Sequence, residues 1–230
     1  MKNLKSLFIY ALLAGVIVAV VVAPAMFYWH SAHLWQHPVN LDSYYQARIA
    51  FASPHDHDRG NNLAQMPAGH RIIDGVRFNV AGLIEVACAN DLAQSNNPYP
   101  YPTSVEDIPV NRFCRKIHLL HGTTGSAADQ TLVAKLVLHY VDGTTADLDI
   151  IYGEQVYDWW FKGDGYPPLA GNTKVAWVGE NKSANRNGYR IRVFKTSFNN
   201  PKPGARVETI DYDSALAPAS SPFMVALTAE

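Results

Sequence analysis

Leu132-Val-Ala-Lys-Leu-Val-Leu-His-Tyr-Val-Asp142-Gly143-Thr-Thr-Ala-Asp-Leu-Asp-Ile-Ile-Tyr152 is the stretch that decides the fold class. Its two halves, Leu132–Val141 and Thr144–Tyr152, are rich in apolar and β-branched residues, which favour strands. An Asp-Gly pair between two such runs is the strongest short-range signal of a β-hairpin. We therefore predict two antiparallel strands joined by a two-residue type I′ turn at Asp142-Gly143.

Further strand signals lie on both sides of this hairpin. Short apolar or alternating runs bounded by turn residues recur along the chain. We predict strands at Tyr45–Phe51, Val76–Val80, Ile84–Val86, Cys114–His121, Lys174–Val178, Tyr189–Lys195, Val207–Tyr212 and Phe223–Thr228. The proline-rich segment Asn90–Pro109 is expected to be a long exposed loop. No segment in this part has a long helical period, so residues 71–230 are predicted to form an all-β antiparallel sandwich, or jelly roll.

The N-terminal region is predicted to contain a membrane anchor. Residues 7–29, Leu7 to Trp29, carry no charge, and as a helix they would span roughly 34 Å, enough to cross a hydrocarbon core. Lys2 and Lys5 precede the stretch, and no Lys or Arg follows it until Arg48. The positive-inside rule therefore places residues 1–6 in the cytoplasm and the later domain outside it, in the periplasm or extracellular space. Residues 30–70 are expected to form a membrane-proximal connection.

Two properties of this region stay open at the sequence level. Ala23-Pro24-Ala25 resembles a signal-peptidase site, although the apolar stretch is longer than the usual core of a signal peptide. Cys88 and Cys114 would lie in an oxidising compartment, where a disulfide and two buried free thiols are equally compatible with the sequence. We expect the anchor to be retained.

The composition excludes one class of partner. The 230 residues carry a formal net charge of −1, and Lys and Arg are thinly spread. Nucleic-acid binding requires a basic excess or stripe, so no nucleic-acid partner is expected.

A set of short motifs carries a resemblance to a known type of module. They occur in the order His118-Leu-Leu-His121-Gly122-Thr123, Asp142-Gly143-Thr144, Ile151-Tyr152-Gly153, Asp158-Trp159-Trp160, Val175-Ala-Trp177-x-Gly179-x-Asn181 and Asn200-Pro201-x-Pro203. Together they resemble bacterial extracytoplasmic β-sandwich modules of the galactose-binding-like type, over about residues 41–230. The resemblance implies a jelly-roll fold and a surface location. It implies no catalytic residues, because fold alone does not fix function.

Candidate metal ligands are best explained without a metal. His118 and His121 are three residues apart, so on a strand they would point to opposite faces. The cluster His55-Asp56-His57-Asp58 could offer ligands, but no second cluster completes a shell. No metal site and no cofactor are predicted.

The candidate catalytic groups lack the neighbouring residues that catalysis would require. The loop Gly122–Ser126 lacks the Lys and the following helix of a phosphate-binding loop. Ser104 and Ser126 lie outside any nucleophile elbow. The carboxylates of Asp147 and Asp149 are expected to be solvated together on one strand face. No catalytic residue is predicted.

The aromatic residues are the best candidates for binding. Adjacent tryptophans on an extended chain point in opposite directions, so one of Trp159 and Trp160 is expected in the core and the other nearer the surface. Trp and Tyr are favoured anchors at interfaces and can stack on sugar rings. The predicted partner or ligand surface comprises Trp159, Trp160, Tyr166, Tyr99 and Tyr101.

Two functions of different classes follow. In the first, the protein is a non-catalytic accessory or structural subunit of a membrane complex, with lipid and other transmembrane and extracytoplasmic subunits as partners. Ala11, Gly15 and Ala19 fall four apart and would let a neighbouring helix approach closely. In the second, the protein is a cell-surface carbohydrate-binding protein whose ligand is a glycan.

Overall fold

The computed structural model describes residues 35–49, 60–94, 101–163 and 168–230. These residues form fourteen strands and two short helices. In chain order they are β1 (His37–Pro38), β2 (Ala47–Arg48), β3 (Gly69–Ile73), β4 (Val76–Val80), β5 (Gly82–Glu85), α1 (Ala89–Ala93), β6 (Ser104–Arg112), β7 (Lys116–Thr124), β8 (Leu132–Tyr140), β9 (Thr145–Ile151), β10 (Trp160–Phe161), β11 (Thr173–Gly179), α2 (Lys182–Arg186), β12 (Arg190–Asn199), β13 (Val207–Ser214) and β14 (Ser221–Ala229).

The predicted membrane segment, residues 7–29, lies outside the described residues. Among the residues that are described, no helix has the length and apolar character needed to cross a bilayer.

Two antiparallel sheets make up most of the fold, which confirms the predicted all-β class. The larger has eight strands along the path β10-β12-β7-β14-β5-β2, with β1 added to β14 and β11 added to β12. The smaller has four strands in the order β6-β13-β8-β9. All strand pairs within them are antiparallel.

The main hydrophobic core lies between the two sheets. Leu119 and Phe194 of the larger sheet belong to the same buried cluster as Leu136 and Ile210 of the smaller one. Alternate residues of each strand face this layer, as expected for a β-sandwich.

A second core covers the other face of the larger sheet. Leu120, next to Leu119 on β7, belongs to a separate buried cluster with Val193, Val225 and Phe78 of the β3–β4 hairpin. The larger sheet is therefore buried on both faces. This explains why all nine residues of β14 are buried and why that strand is a nearly continuous apolar run.

The Asp-Gly pairs at residues 74–75 and 142–143 form different turns, and the predicted type I′ turn at Asp142-Gly143 is wrong in type. A type I′ turn needs positive φ at both central residues. Of the pair, only Gly143 has positive φ, and its N–H donates to the Tyr140 carbonyl at 2.9 Å. The hairpin itself is confirmed, but four residues, Val141 to Thr144, connect β8 to β9. The two-residue turn with positive φ at both positions is Asp74-Gly75, between β3 and β4.

Two segments that were expected to be irregular contain ordered structure. The predicted loop Asn90–Pro109 instead holds most of α1 and the first part of β6, which pairs with β13. The predicted connection 30–70 contributes buried side chains at Leu41 and Leu63, and the compact unit runs from His37 to Glu230. The folded unit thus begins well before residue 71.

Candidate functional site

The tryptophan pair has the predicted difference in depth. Trp159 is buried, with its ring edge-on to Phe223 at a centroid distance of 5.7 Å. Trp160 is half-buried and begins the edge strand β10. Two backbone hydrogen bonds hold Trp159 in this position. The Trp159 N–H donates to the Thr123 carbonyl at 2.9 Å, and the Trp159 carbonyl accepts from the Arg192 N–H at 2.8 Å.

The other residues predicted to bind partners are only partly described. Tyr101 is half-buried and stands before β6, away from the tryptophan pair in the chain. Tyr99 and Tyr166 lie outside the described residues, as do Ala11, Gly15 and Ala19. Tyr101 precedes β6 of the smaller sheet, whereas Trp160 begins β10 of the larger one.

Trp160 instead packs on Tyr189, which sequence reasoning did not identify. The two ring centroids are 5.5 Å apart, and the Lys162 ammonium lies 4.2 Å from the Tyr189 ring centroid. The Trp160 indole N–H donates to the Asn61 side-chain oxygen at 3.2 Å. We call Trp160, Lys162, Tyr189 and Arg190 the aromatic edge, because β10 and the start of β12 place them along one edge of the larger sheet.

A buried arginine fixes the segment that carries this edge. The Arg192 guanidinium lies 5.0 Å from the Phe161 ring centroid and 5.1 Å from that of Phe194, with Tyr157 at 5.7 Å. Its Nε–H donates to the Asp158 carbonyl at 3.0 Å. Cation–π contacts of this kind gain strength when the cation is desolvated, so Arg192 holds residues 157–161 against β12.

Asp158 is the most unusual acidic group beside the aromatic edge. Its carboxylate accepts from the Trp160 backbone N–H at 3.0 Å and from the Ser126 hydroxyl at 3.2 Å. Burial raises the pKa of Asp158, although these two hydrogen bonds and the nearby Arg192 charge oppose the rise. A carboxyl group with a burial-raised pKa is a feature that often marks functional sites.

The Ser126–Asp158 pair does not form a recognisable nucleophile and base. Serine nucleophiles rely on a base, most often a histidine, within hydrogen-bonding reach. The His118 and His121 rings are bonded elsewhere, to Ser197 and Thr196, each at 2.8 Å. In the part of the chain that the structure describes, no three His, Cys, Asp or Glu side chains cluster as metal ligands would.

The two histidines have structural contacts on opposite faces of β7, as their spacing predicts. Leu119 and His121 alternate on the face of the main core, whereas His118 shares the other face with Leu120. The loop expected from Gly122 begins later, because β7 continues through Gly122 to Thr124. Gly122 is required for another reason, which is that the Phe223 ring occupies the space of its absent side chain.

The other sequence candidates are accounted for in the same way. Asp147 is an exposed residue of β9 and forms an ion pair with Lys135 at 3.0 Å. Cys88 and Cys114 are free and buried, which decides the open question of the disulfide in this structure. His55 to Asp58 lie outside the described residues.

Tyr189, Arg192 and Lys162 could not have been singled out from the sequence. Tyr189 and Arg192 belong to an alternating apolar and basic run that predicts a strand, and the run does not reveal which neighbour each residue meets. Only the pairing of β10 with β12, in the register Trp160 to Ile191, brings them to the tryptophan pair.

The described residues form an all-β antiparallel protein in which two half-buried aromatic rings and two exposed basic side chains share the aromatic edge. Compared with protein families, curated proteins and solved structures, the chain matches none. The resemblance to galactose-binding-like modules therefore stays a prediction.

Proposed function

We propose that this protein is a non-catalytic accessory subunit of a membrane complex, anchored by residues 7–29 and docking an extracytoplasmic partner through the aromatic edge. The observation that carries the proposal is the grouping of the half-buried rings of Trp160 and Tyr189 with the exposed basic side chains of Lys162 and Arg190. Trp, Tyr and Arg are the residues most enriched at interface hot spots.

The packing behind the edge supports docking of a protein. Trp160 is anchored by Asn61 and Tyr189, and the backbone beneath it is held by Arg192. Such a surface loses little conformational entropy on binding, which is the advantage of preorganisation.

Carbohydrate binding is the second candidate, and one observation favours it. A half-buried tryptophan lies beside a carboxylate, Asp158, and sugar sites combine an aromatic platform with polar groups. However, one side of the tryptophan is engaged with Tyr189, and Lys162 lies over the Tyr189 ring. These contacts leave less flat aromatic surface for stacking, so we favour the protein partner.

Mild extraction of the full chain from its native membrane, followed by mass spectrometry, tests the proposal. We expect stoichiometric partner subunits with the wild type and at least a tenfold loss of them with Trp160→Ala/Tyr189→Ala, since hot-spot truncation costs about 2 kcal/mol or more. Ile72→Ala removes an apolar side chain on β3 that is 44% exposed, more than either ring of the aromatic edge, and is the control. Full partner recovery with the double variant, or a partner-free protein that binds a glycan array, would count against it.

A further inference from the structure

Three loops and the end of β14 contact one another at the end of the sandwich opposite the aromatic edge. The Asn200 N–H donates to the Arg115 carbonyl at 2.8 Å, and its side chain donates to the Cys114 carbonyl at 2.9 Å. The Val141 N–H donates to the Arg206 carbonyl at 3.1 Å. We call residues 112–116, 140–144, 199–206 and 228–230 the proximal end.

The folded unit begins at the proximal end. His37 in β1 pairs with Ala229, and Ala229 pairs with Ile117 at the start of β7. The pKa of the His37 imidazole is lowered, chiefly by burial and then by the positive charges of Arg112 and Arg77. Arg112, at the end of β6, is therefore close enough to His37 to affect it. The chain that leads back to the predicted anchor therefore leaves the domain at this end.

The predicted anchor is close along the chain. It ends at Trp29, so seven residues separate it from His37. Fully extended, seven residues span at most about 25 Å. The aromatic edge lies at the other end of β12, whose ten residues extend about 33 Å. Along the chain, the segment that leads to the predicted anchor therefore joins the proximal end and not the aromatic edge.

The surface of the proximal end is apolar and basic. Phe113 is 65% exposed and Val141 is 47% exposed, both at loop tips. The same segments carry basic side chains at Arg112, Arg115, Lys116, Lys202 and Arg206, and acidic side chains at Asp142 and Glu230. An exposed aromatic tip ringed by basic side chains combines the two forces that bind a protein to an anionic lipid surface.

We propose that the proximal end rests on the anionic lipid surface of the membrane, with Phe113 and Val141 inserted among the headgroups and Arg115 and Arg206 on the lipid phosphates. This inference rests on the proposed function, since it needs the anchor. It adds an orientation, in which the aromatic edge faces away from the bilayer toward the extracytoplasmic part of a partner.

Photocrosslinking of the full chain in lipid nanodiscs tests the inference. The probe is p-benzoyl-phenylalanine in place of Phe113, and the matched control carries it in place of Leu216, which is 40% exposed near the opposite end of β13. With phosphatidylglycerol present, we expect lipid adducts by mass spectrometry at position 113 and at least fivefold fewer at position 216. Equal yields at the two positions, or adducts to protein alone at 113, would overturn the inference.

The charge contribution is tested in the same nanodiscs. Arg115→Gln/Arg206→Gln should lower the adduct yield at position 113 severalfold, as should replacing phosphatidylglycerol by phosphatidylcholine. Unchanged yields in both cases would contradict a role for anionic lipid. Resistance of the chain to alkaline extraction separates the two proposals: a retained chain without lipid adducts refutes this inference alone, whereas a released chain refutes the anchor and the inference together.

Discussion

The Phe223 ring lies where a side chain on Gly122 would have to be. These residues face each other across the β7–β14 pair, and Phe223 also meets Trp159, so one aromatic ring links the central strands to the segment that carries the aromatic edge. The absence of a side chain at Gly122 is thus a packing requirement at the centre of the larger sheet.

Gly122→Ala should lower the free energy of unfolding by about 2–3 kcal/mol, because its Cβ would overlap a buried ring that is itself packed against Trp159. Adding Phe223→Leu should recover part of that loss, since the smaller side chain vacates the space. Urea denaturation of the two single variants and the double variant measures this coupling. Simple additivity of the two losses would show that the ring and the glycine do not compete for space.

The tip of the β3–β4 hairpin is tied to the larger sheet by an ion pair. The buried Lys195 ammonium donates to the Asp74 carboxylate and, at 3.2 Å, to its carbonyl. Burial opposes ionisation of Asp74, but the hydrogen bonds and charges of Lys195 and Lys174 outweigh it and hold the pKa of Asp74 below its usual value.

Asp74→Ala should therefore destabilise the protein by about 2 kcal/mol, since it leaves the Lys195 charge buried without its carboxylate. Lys195→Met/Asp74→Ala should be more stable than Asp74→Ala alone, because the unpaired charge is gone. Thermal unfolding of the two proteins at neutral pH compares them. A double variant that is less stable than Asp74→Ala would show that the ammonium tolerates the loss of its partner.

The buried His121 gives the stability a specific dependence on pH. Burial lowers the pKa of His121 to about 3, whereas an unfolded histidine titrates near 6.5. The unfolded state therefore takes up the proton first. The contribution of neutral His121 is complete above about pH 6.5 and is lost as the pH falls toward 3.

His121→Gln keeps a hydrogen-bonding group near Thr196 and removes the titration. Between pH 7 and pH 5, the wild type should lose about 2 kcal/mol more of its unfolding free energy than the variant does. Urea denaturation across this range measures both slopes. Parallel slopes would mean that His121 is protonated or exposed in the folded protein.

The two cysteines should behave as protected thiols. Cys88 and Cys114 are buried, and burial raises the pKa of the Cys114 thiol, which lowers its thiolate fraction. Ellman's reagent should detect two thiols after denaturation without reductant and react at least a hundredfold more slowly with the native protein. Detection of no thiol in the denatured sample would establish a disulfide.

The sequence predicts most of the central strands, but it does not predict all the strands that pair with them. Val76–Val80 is a strand with the predicted bounds, because its alternation of apolar and polar residues is a local property. The partner strand Gly69–Ile73 was missed, although Asp74-Gly75 follows it directly. Its outer face is exposed and its apolar content low, so no periodicity distinguishes it from a connection.

Two further differences between the prediction and the structure come from a proline and from the burial of the larger sheet on both faces. Pro109 lies within β6 and made that segment look like a loop, yet β6 is the edge of the smaller sheet, where a missing N–H is tolerated. Trp177 is half-buried, with its ring over Gly179. The β3–β4 layer that buries the second face of the larger sheet is a tertiary feature that no local pattern reveals.

The candidate site was predictable only in part. The adjacency of Trp159 and Trp160 predicts that one is buried and one is more exposed, and the structure confirms this difference. The contribution of Tyr189 and Arg192 depends on strand order, because about thirty residues of chain separate them from the tryptophans.

Membrane retention of the full-length chain shows whether residues 7–29 anchor the protein. Membranes from cells that express the full-length protein are washed with alkaline carbonate, and the N-terminus of the retained protein is sequenced. The account predicts that the protein stays in the pellet with Leu7–Trp29 still attached, and that its β domain is digested only by protease added on the extracytoplasmic side. Release into the wash, or a mature N-terminus near Met26, would contradict it.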